Sequence, residues 1–355
     1  MYTAAVKLAV ATALALSVAV ALHAQAPAGA PDTRPAFAEW LAGVRAEALG
    51  RGIRPEIVDE ALTHIDAPLP VVIERDRTQA ETVLPLETYV SRRLTPVVIK
   101  TGREMFAKHR ALLDRVRHTY GVSPAIVVAI WGLESNFGQF SGVRPTVAAL
   151  ATLAWDPRRS AFFRGELFDA LEILNRGDIE FAKMQGSWAG AMGQPQFMPS
   201  SYLKYAEDFD GDGRRDIWGT PDDIFASIAN YLKGQGWTAG EGWGREVKVP
   251  ASAAHMIAAD VARRDGSCQA TREMTVALPL SRWREIGVLP ATGAAGAALP
   301  ATAQMASLVS GTTRHFLVYQ NYNALLEYNC AHAYAVSVAL LADQMTVPRA
   351  PGPPK

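Results

Sequence analysis

The run Ala125-Ile126-Val127-Val128-Ala129-Ile130-Trp131-Gly132-Leu133 carries no polar side chain, and it ends on Glu134. Ser123-Pro124 ahead of it has the form of an N-cap with proline at the first helical position, so the run reads as a helix. A helix that is apolar on nearly every face must be surrounded by protein. The chain therefore has to build packed layers around this segment, and 355 residues suffice for two or three packed units. With 49% apolar and 20% charged residues and a formal net charge of +0, it is globular. No basic excess is present to neutralise phosphates, which excludes a nucleic-acid partner.

Helical spacing recurs on both sides of this segment. Phe37, Trp40, Leu41, Val44 and Ala48 mark a helix stopped by Gly50 and Gly52, and Pro55 opens a short one through Ala61. Residues 85–118 show the same period through Tyr89, Leu94, Val98, Met105, Leu112 and Val116. Further helices are expected over 146–153, 161–175, 221–233 and 331–345. Residues 240–315, rich in Ala, Gly, Pro and Val, read as irregular with strand-like pieces at 245–249 and 274–278. The expected class is mainly α, with a small irregular, β-containing C-terminal part.

Lys7, the apolar run Leu8–Leu22 and the Ala24-Gln25-Ala26 end read as a secretory signal over 1–26, cut after Ala26. The run is about 15 residues, short of the ~20 a spanning helix needs, so no transmembrane anchor is expected. No cysteine near the cut could carry a lipid. A flexible leader is expected over 27–35 and a Pro-rich tail over 346–355. Cys268 and Cys330 lack the histidine spacing of a zinc site. They form either a disulfide or two separately buried thiols.

Three segments carry chemistry. Glu134 sits at the end of the buried helix with Ile130 and Trp131 behind it and Phe137 ahead. Desolvation penalises its carboxylate and should keep it protonated near neutrality, which suits an acid that protonates a leaving glycosidic oxygen. A helix-end Glu reaching water is the plain alternative. The block Ser187–Tyr202 mixes small residues, amides, hydroxyls and aromatics without charge, a surface suited to a sugar or to a tight turn between helices. Asp208, Asp210 and Asp212, with Gly213 sixth, match the opening of an EF-hand calcium loop. Position twelve is Gly219 instead of Glu, so Asp222 or Asp223 would close the shell. An acidic solvated turn is the alternative.

Together these segments, with Ser227-Ile228-Ala229-Asn230-Tyr231-Leu232 and Tyr328-Asn329…Tyr334-Ala335-Val336, resemble the lytic murein transglycosylase B family, a lysozyme-like branch. The resemblance runs from about Phe37 to Met345. It implies an N-terminal helical lobe at 36–118, a lysozyme-like catalytic core at 119–239 and a C-terminal lobe at 240–345 completing the cleft. It puts Glu134 on the sole catalytic acid and base. Ser187, Gln196, Tyr231, Tyr328, Asn329 and Tyr334 fall on cleft positions that contact glycan or hold the acid. Tyr89, Arg158 and Arg159 also match cleft positions, the arginines suited to acidic peptide stems. Asp208, Asp210, Asp212, the Arg214 carbonyl and either Asp222 or Asp223 match a structural calcium loop; no organic cofactor is implied. Spacing to Tyr334 favours Tyr328-Asn329 over Tyr322-Asn323 as the site pair, and Pro195 stands where a small residue is common.

The implied reaction is non-hydrolytic cleavage of the bond between N-acetylmuramic acid and N-acetylglucosamine in peptidoglycan, leaving a 1,6-anhydro ring. The competing readings are a hydrolytic lysozyme, an inactive peptidoglycan-binding scaffold and a calcium-dependent structural protein. The implied setting is the periplasm. There the chain would act as a monomer on glycan strands, with other cell-wall enzymes as possible partners.

Overall fold

A computed structural model describes residues 34–78, 84–291 and 304–346. The expected signal, nearly all of the expected leader and the expected tail beyond residue 346 lie outside the described residues. From Phe37 onward the described chain clusters as one unit.

The N-terminal part is helical: α1 (Phe37–Gly50), α2 (Pro55–Leu62), α3 (Pro70–Thr78), α4 (Leu86–Arg93), α5 (Pro96–Lys108) and α6 (Arg110–Tyr120). The stretch read as one periodic pattern, 85–118, is thus three helices. Thr95-Pro96 makes the first break: proline cannot donate into a helix, and the Thr95 hydroxyl accepts from Val98 N at 3.3 Å to start α5. Gly121, at φ +74°, ends α6 in the left-handed region.

Next come α7 (Pro124–Ser135), α8 (Thr146–Trp155), α9 (Ser160–Arg176), α10 (Pro199–Tyr205) and α11 (Pro221–Gly234). The short strands β1 (Arg144–Pro145) and β2 (Gln185–Gly186) pair antiparallel, Arg144 opposite Gly186. As its composition requires, α7 is enclosed: Ala125 through Leu133 are all buried, and α5, α6, α11 and the C-terminal helix pack on it.

The C-terminal part departs most from the sequence reading. It contains β3 (Gly244–Lys248), α12 (Ala251–Asp260), α13 (Gln269–Glu273), β4 (Leu278–Pro279), α14 (Leu280–Ile286), β5 (Leu289–Pro290), β6 (Met305–Ser310), β7 (His315–Val318), α15 (Gln320–Tyr328) and α16 (His332–Thr346). Its antiparallel sheet runs β4-β6-β7-β3-β5, with Val309 opposite Phe316 and Glu246 opposite Phe316 on the other side. Of the two expected strands, 245–249 is present; over 274–278 only Leu278 lies in a strand, while Thr275 bridges Arg263. The alternation of the strands separates two cores. Val309, Phe316 and Val318 face the main core, whereas Ala306, Leu308 and Leu317 face a smaller one built on Trp283 and Ile286.

Two links set the C-terminal part against the helices that matter. The turn after β6 is held to α4, where Glu87 accepts from Thr313 N at 2.7 Å and Arg314 N at 3.0 Å. The last helix, α16, buries most of its side chains and packs on α4, α5 and α7.

Candidate active site

The buried helix ends abruptly. Asn136 and Phe137 both take the left-handed conformation, at φ +51° and +57°, which is unfavourable for residues with a Cβ. Packing holds them there. Phe137 folds back onto Gly132 and meets Trp131 edge-on, ring centroids 5.7 Å apart. The Ser135 hydroxyl donates to Trp131 O at 2.8 Å and accepts from Gly138 N at 3.0 Å. A Cβ on Gly132 would lie 2.4 Å from the Phe137 ring, so only glycine permits the fold-back. Gly132→Ala should therefore destabilise the fold by about 2 kcal/mol through overpacking. Chemical denaturation should show it as a lower midpoint at unchanged slope.

Glu134 is placed by this turn and is half-buried. Burial pushes its carboxyl up to about 7, against the opposing pull of Tyr334 and Arg93. Arg93, on α4, donates to the Leu133 carbonyl one residue before the acid. The Tyr334 hydroxyl, on α16, is buried and turned to the Glu134 carboxyl without closing a well-formed hydrogen bond. Among the described residues, no second carboxylate is one of the groups that act on Glu134.

Tyrosines line the approach. Tyr328 stacks on Tyr334 with centroids 6.4 Å apart and planes 14° from parallel. Burial holds both hydroxyls well above the ordinary tyrosine range, with the Glu134 charge adding to the effect, so they stay neutral. Tyr328 donates to Pro195 O at 2.7 Å and Tyr231 to Glu327 O at 2.7 Å. The Tyr231 ring lies 4.8 Å from Tyr328 and 5.5 Å from Phe197. Gln196, at φ +55°, donates to Gly193 O at 2.8 Å. It borders a cavity of about 250 Å³ shared with Phe197, Tyr231 and Tyr328.

The other sequence-derived candidates stand in different relations to this group. Tyr89 adds to the field at Tyr334. Ser187 accepts from Ala189 N at 3.2 Å and Ala191 N at 3.1 Å, shaping the turn that precedes Gln196. Asn329 is exposed at the end of α15. Arg158 and Arg159 reach away to α3, where both clamp the buried Asp76. Tyr322, the competitor of Tyr328, is fully buried with its hydroxyl against His332 Nδ1 at 3.0 Å. Sequence reasoning missed Arg93, whose approach depends on how α4 docks, and Gln194. The Gln194 amide accepts from Trp131 Nε1 at 2.6 Å and donates to Trp218 O at 2.6 Å, tying α7 to the Ser187–Tyr202 block.

The acidic loop brings Asp208, Asp210 and Asp212 together, with one carboxylate oxygen of each within 4.8 Å of the others. Asp223 is buried beneath the loop, accepting from Phe209 N at 2.7 Å and Asp216 N at 2.8 Å. Asp222 turns outward and pairs with Arg115 on α6. Arg214 donates its backbone N–H to Asp212 at 2.8 Å. Three converging carboxylates form a hard-oxygen donor set that suits a divalent cation such as calcium.

Comparison with known proteins agrees with this architecture. The family described as the transglycosylase SLT domain matches residues 36–343. The chain is 40% identical over 154 residues to membrane-bound lytic murein transglycosylase B of Escherichia coli; that match covers 43% of this chain and 42% of the relative's length. Pseudomonas aeruginosa SltB3, solved in complex with NAG-anhNAM-pentapeptide, superposes at a TM-score of 0.77 with 40% identity over 87% of this chain and 79% of its own. Escherichia coli lytic transglycosylase Slt35, solved in complex with calcium, superposes at 0.68 with 27% identity over 88% and 93%. With its lysozyme-like helical fold and a match spanning nearly all of the described residues, the chain belongs to the SLT-domain family of lytic murein transglycosylases.

Proposed function

We propose that this protein cleaves the N-acetylmuramyl–N-acetylglucosamine bond of peptidoglycan without water, leaving 1,6-anhydromuramyl ends, and that Glu134 serves as acid and then base. The observation that carries the reading is a carboxyl held at about 7 by burial, with Tyr334 and Arg93, and no second carboxylate among the described residues, acting on it. Lysozyme-type hydrolysis pairs its acid with another carboxylate as nucleophile or base. A lone acid needs the substrate to supply what is missing, and the muramyl residue carries both a 2-acetamido group and a C6 hydroxyl. Protonated Glu134 gives its proton to the leaving oxygen while the acetamido group stabilises C1. The resulting carboxylate then takes the proton of the C6 hydroxyl as that oxygen closes on C1, which returns Glu134 to its acid form.

The surrounding groups fit this cycle. Tyr334 and Arg93 favour the carboxylate that forms halfway through, so the acid stays near neutrality and can act in both directions. Gln196, Tyr231, Tyr328 and Asn329, with Ser187 shaping the floor and Tyr89 beside Tyr334, form the sugar-binding wall. Arg158 and Arg159 are half-exposed beyond their contacts with Asp76 and are offered to acidic stem peptides. SltB3, at 40% identity, was solved with a fragment containing anhNAM and a peptide, which supports substrate and product alike. Calcium is assigned to Asp208, Asp210, Asp212 and the Arg214 carbonyl, with Asp223 in preference to Asp222. Its role is to hold the loop, and it takes no part in the bond cleavage.

Among the described residues no helix is long and apolar enough to cross a membrane. The substrate sets the working compartment, the periplasm. Mass spectrometry of digested sacculi tests the reading: muropeptides ending in anhydromuramic acid are expected. Reducing ends would make the protein a hydrolase, and absence of any product would make it a binding scaffold.

A further inference from the structure

We infer that the Cys268–Cys330 disulfide is a positioning cross-link for the acid site, fixing the turn that joins the stacked rings of Tyr328 and Tyr334 beside Glu134; this rests on the reading of Glu134 above. The two sulfurs are bonded across a sequence separation of 62. Cys330 lies in the turn between α15 and α16, two positions after Tyr328 and four before Tyr334. Those two rings stack nearly parallel, and both hydroxyls lie in the field of Glu134. How far apart they stand depends on the path of this turn.

The turn itself is weakly held. Asn329 and Cys330 are exposed, and the backbone bond within it runs from Ala331 N to Asn329 O at 2.7 Å. Its polar side-chain anchor is His332, which meets the Tyr322 hydroxyl at 3.0 Å and the Ala270 backbone of α13. The other end of the cross-link is better rooted. Cys268 precedes α13, whose Ala270 is buried in the main core, as is Met274 just after it. Arg264 ties the same region to α15 through Asn323 at 2.8 Å. The disulfide thus transfers the rigidity of the α13 region to the one exposed segment between two site tyrosines. A cavity of about 480 Å³ bordered by Cys330, Ala331, His332 and Glu273 lies beside it and gives a small reductant access.

Without the cross-link the rings gain freedom and more water reaches the carboxyl. Since burial is the largest influence on Glu134, hydration should move it toward the ordinary carboxylate range. The test is turnover of sacculi against pH for the parent and a Cys268→Ser/Cys330→Ser double variant, each with and without dithiothreitol. The dithiol supplies two electrons and two protons to the bond and closes to its own cyclic disulfide. The double variant should lose about tenfold in kcat, with the alkaline limb of its profile moved to lower pH. Dithiothreitol should do the same to the parent and leave the double variant unchanged. A double variant with parental kcat and parental pH limb overturns the proposal, even if its melting temperature falls, because the bond would then act on stability alone. Should the double variant fail to fold, reduction of the folded parent decides. A fall in kcat that follows thiol release while near-ultraviolet circular dichroism is retained supports the proposal, and full reduction without loss of kcat overturns it. Failure of the underlying acid reading would appear separately, as turnover retained by Glu134→Gln.

Discussion

Glu134→Gln is expected to lower turnover of peptidoglycan by on the order of 10³-fold or more while glycan binding persists. The amide is nearly isosteric, so it keeps the fold-back at Asn136 and Phe137 and the contacts of Tyr334. It can neither give a proton to the leaving oxygen nor take one from the C6 hydroxyl. A single general acid or base contributes ~10²–10⁴-fold, and in the proposed cycle one group does both. The parent should show an alkaline limb near pH 7, where Glu134 loses its proton before the reaction begins. Retained activity in the variant would remove Glu134 from the chemistry.

The same substitution has a stability signature. A carboxyl held at about 7 against an ordinary value of 4.5 binds its proton more tightly folded than unfolded. Its contribution is therefore complete below pH 4.5 and is lost as pH rises through 7. Because the side chain is half-buried, solvent screening reduces the effect to about 1–2 kcal/mol. Glu134→Gln should thus melt above the parent at pH 8 and close to it at pH 4. A melting difference independent of pH would show that the carboxyl is not desolvated.

Asp223→Ala is expected to cost about 3 kcal/mol and to abolish calcium-dependent stabilisation, whereas Asp222→Ala should cost less than about 1 kcal/mol and keep it. Asp223 is 1% exposed and accepts from two backbone N–H groups that shape the acidic loop, so removing it leaves both donors buried without a partner. Asp222 makes one pair with Arg115, whose side chain is 60% exposed. In the parent, calcium at 100 times its Kd should add ~2.7 kcal/mol, and a chelator should remove it without moving the pH limb of turnover. Thermal melts of both variants, with calcium and with chelator, check this. Loss of the calcium effect in Asp222→Ala but not in Asp223→Ala would reverse the assignment.

Some of this was legible in residue order because it depends on neighbours in the chain. An all-apolar run has one physical outcome, burial, so α7 follows from that alone, and Glu134 is thereby set at the end of a buried helix, where it is either desolvated or reaches water. The spacing of Asp208, Asp210 and Asp212 with Gly213 is likewise local, since a turn brings near residues together whatever the rest of the chain does. The helices with a sustained apolar period were readable for the same reason. Six that were not, α3, α10, α12, α13, α14 and α15, are short and lack a full amphipathic repeat. The five-stranded sheet escaped notice because its strands are short and two cores cover its faces, so the alternation of Val309 and Phe316 with Leu308 and Leu317 leaves no polar side to detect.

The sequence by itself therefore determined the buried helix with Glu134 at its end and the clustering of Asp208, Asp210 and Asp212. Only the tertiary structure decided what surrounds them: Arg93 reaching in from α4, the stacking of Tyr328 on Tyr334, Asp223 buried under the loop while Asp222 pairs with Arg115, and Cys268 joined to Cys330. Most of those are distances between residues far apart in the chain. No local period encodes such a distance; it is set when α16 packs on α4 and α7 and carries its tyrosine to the end of the buried helix.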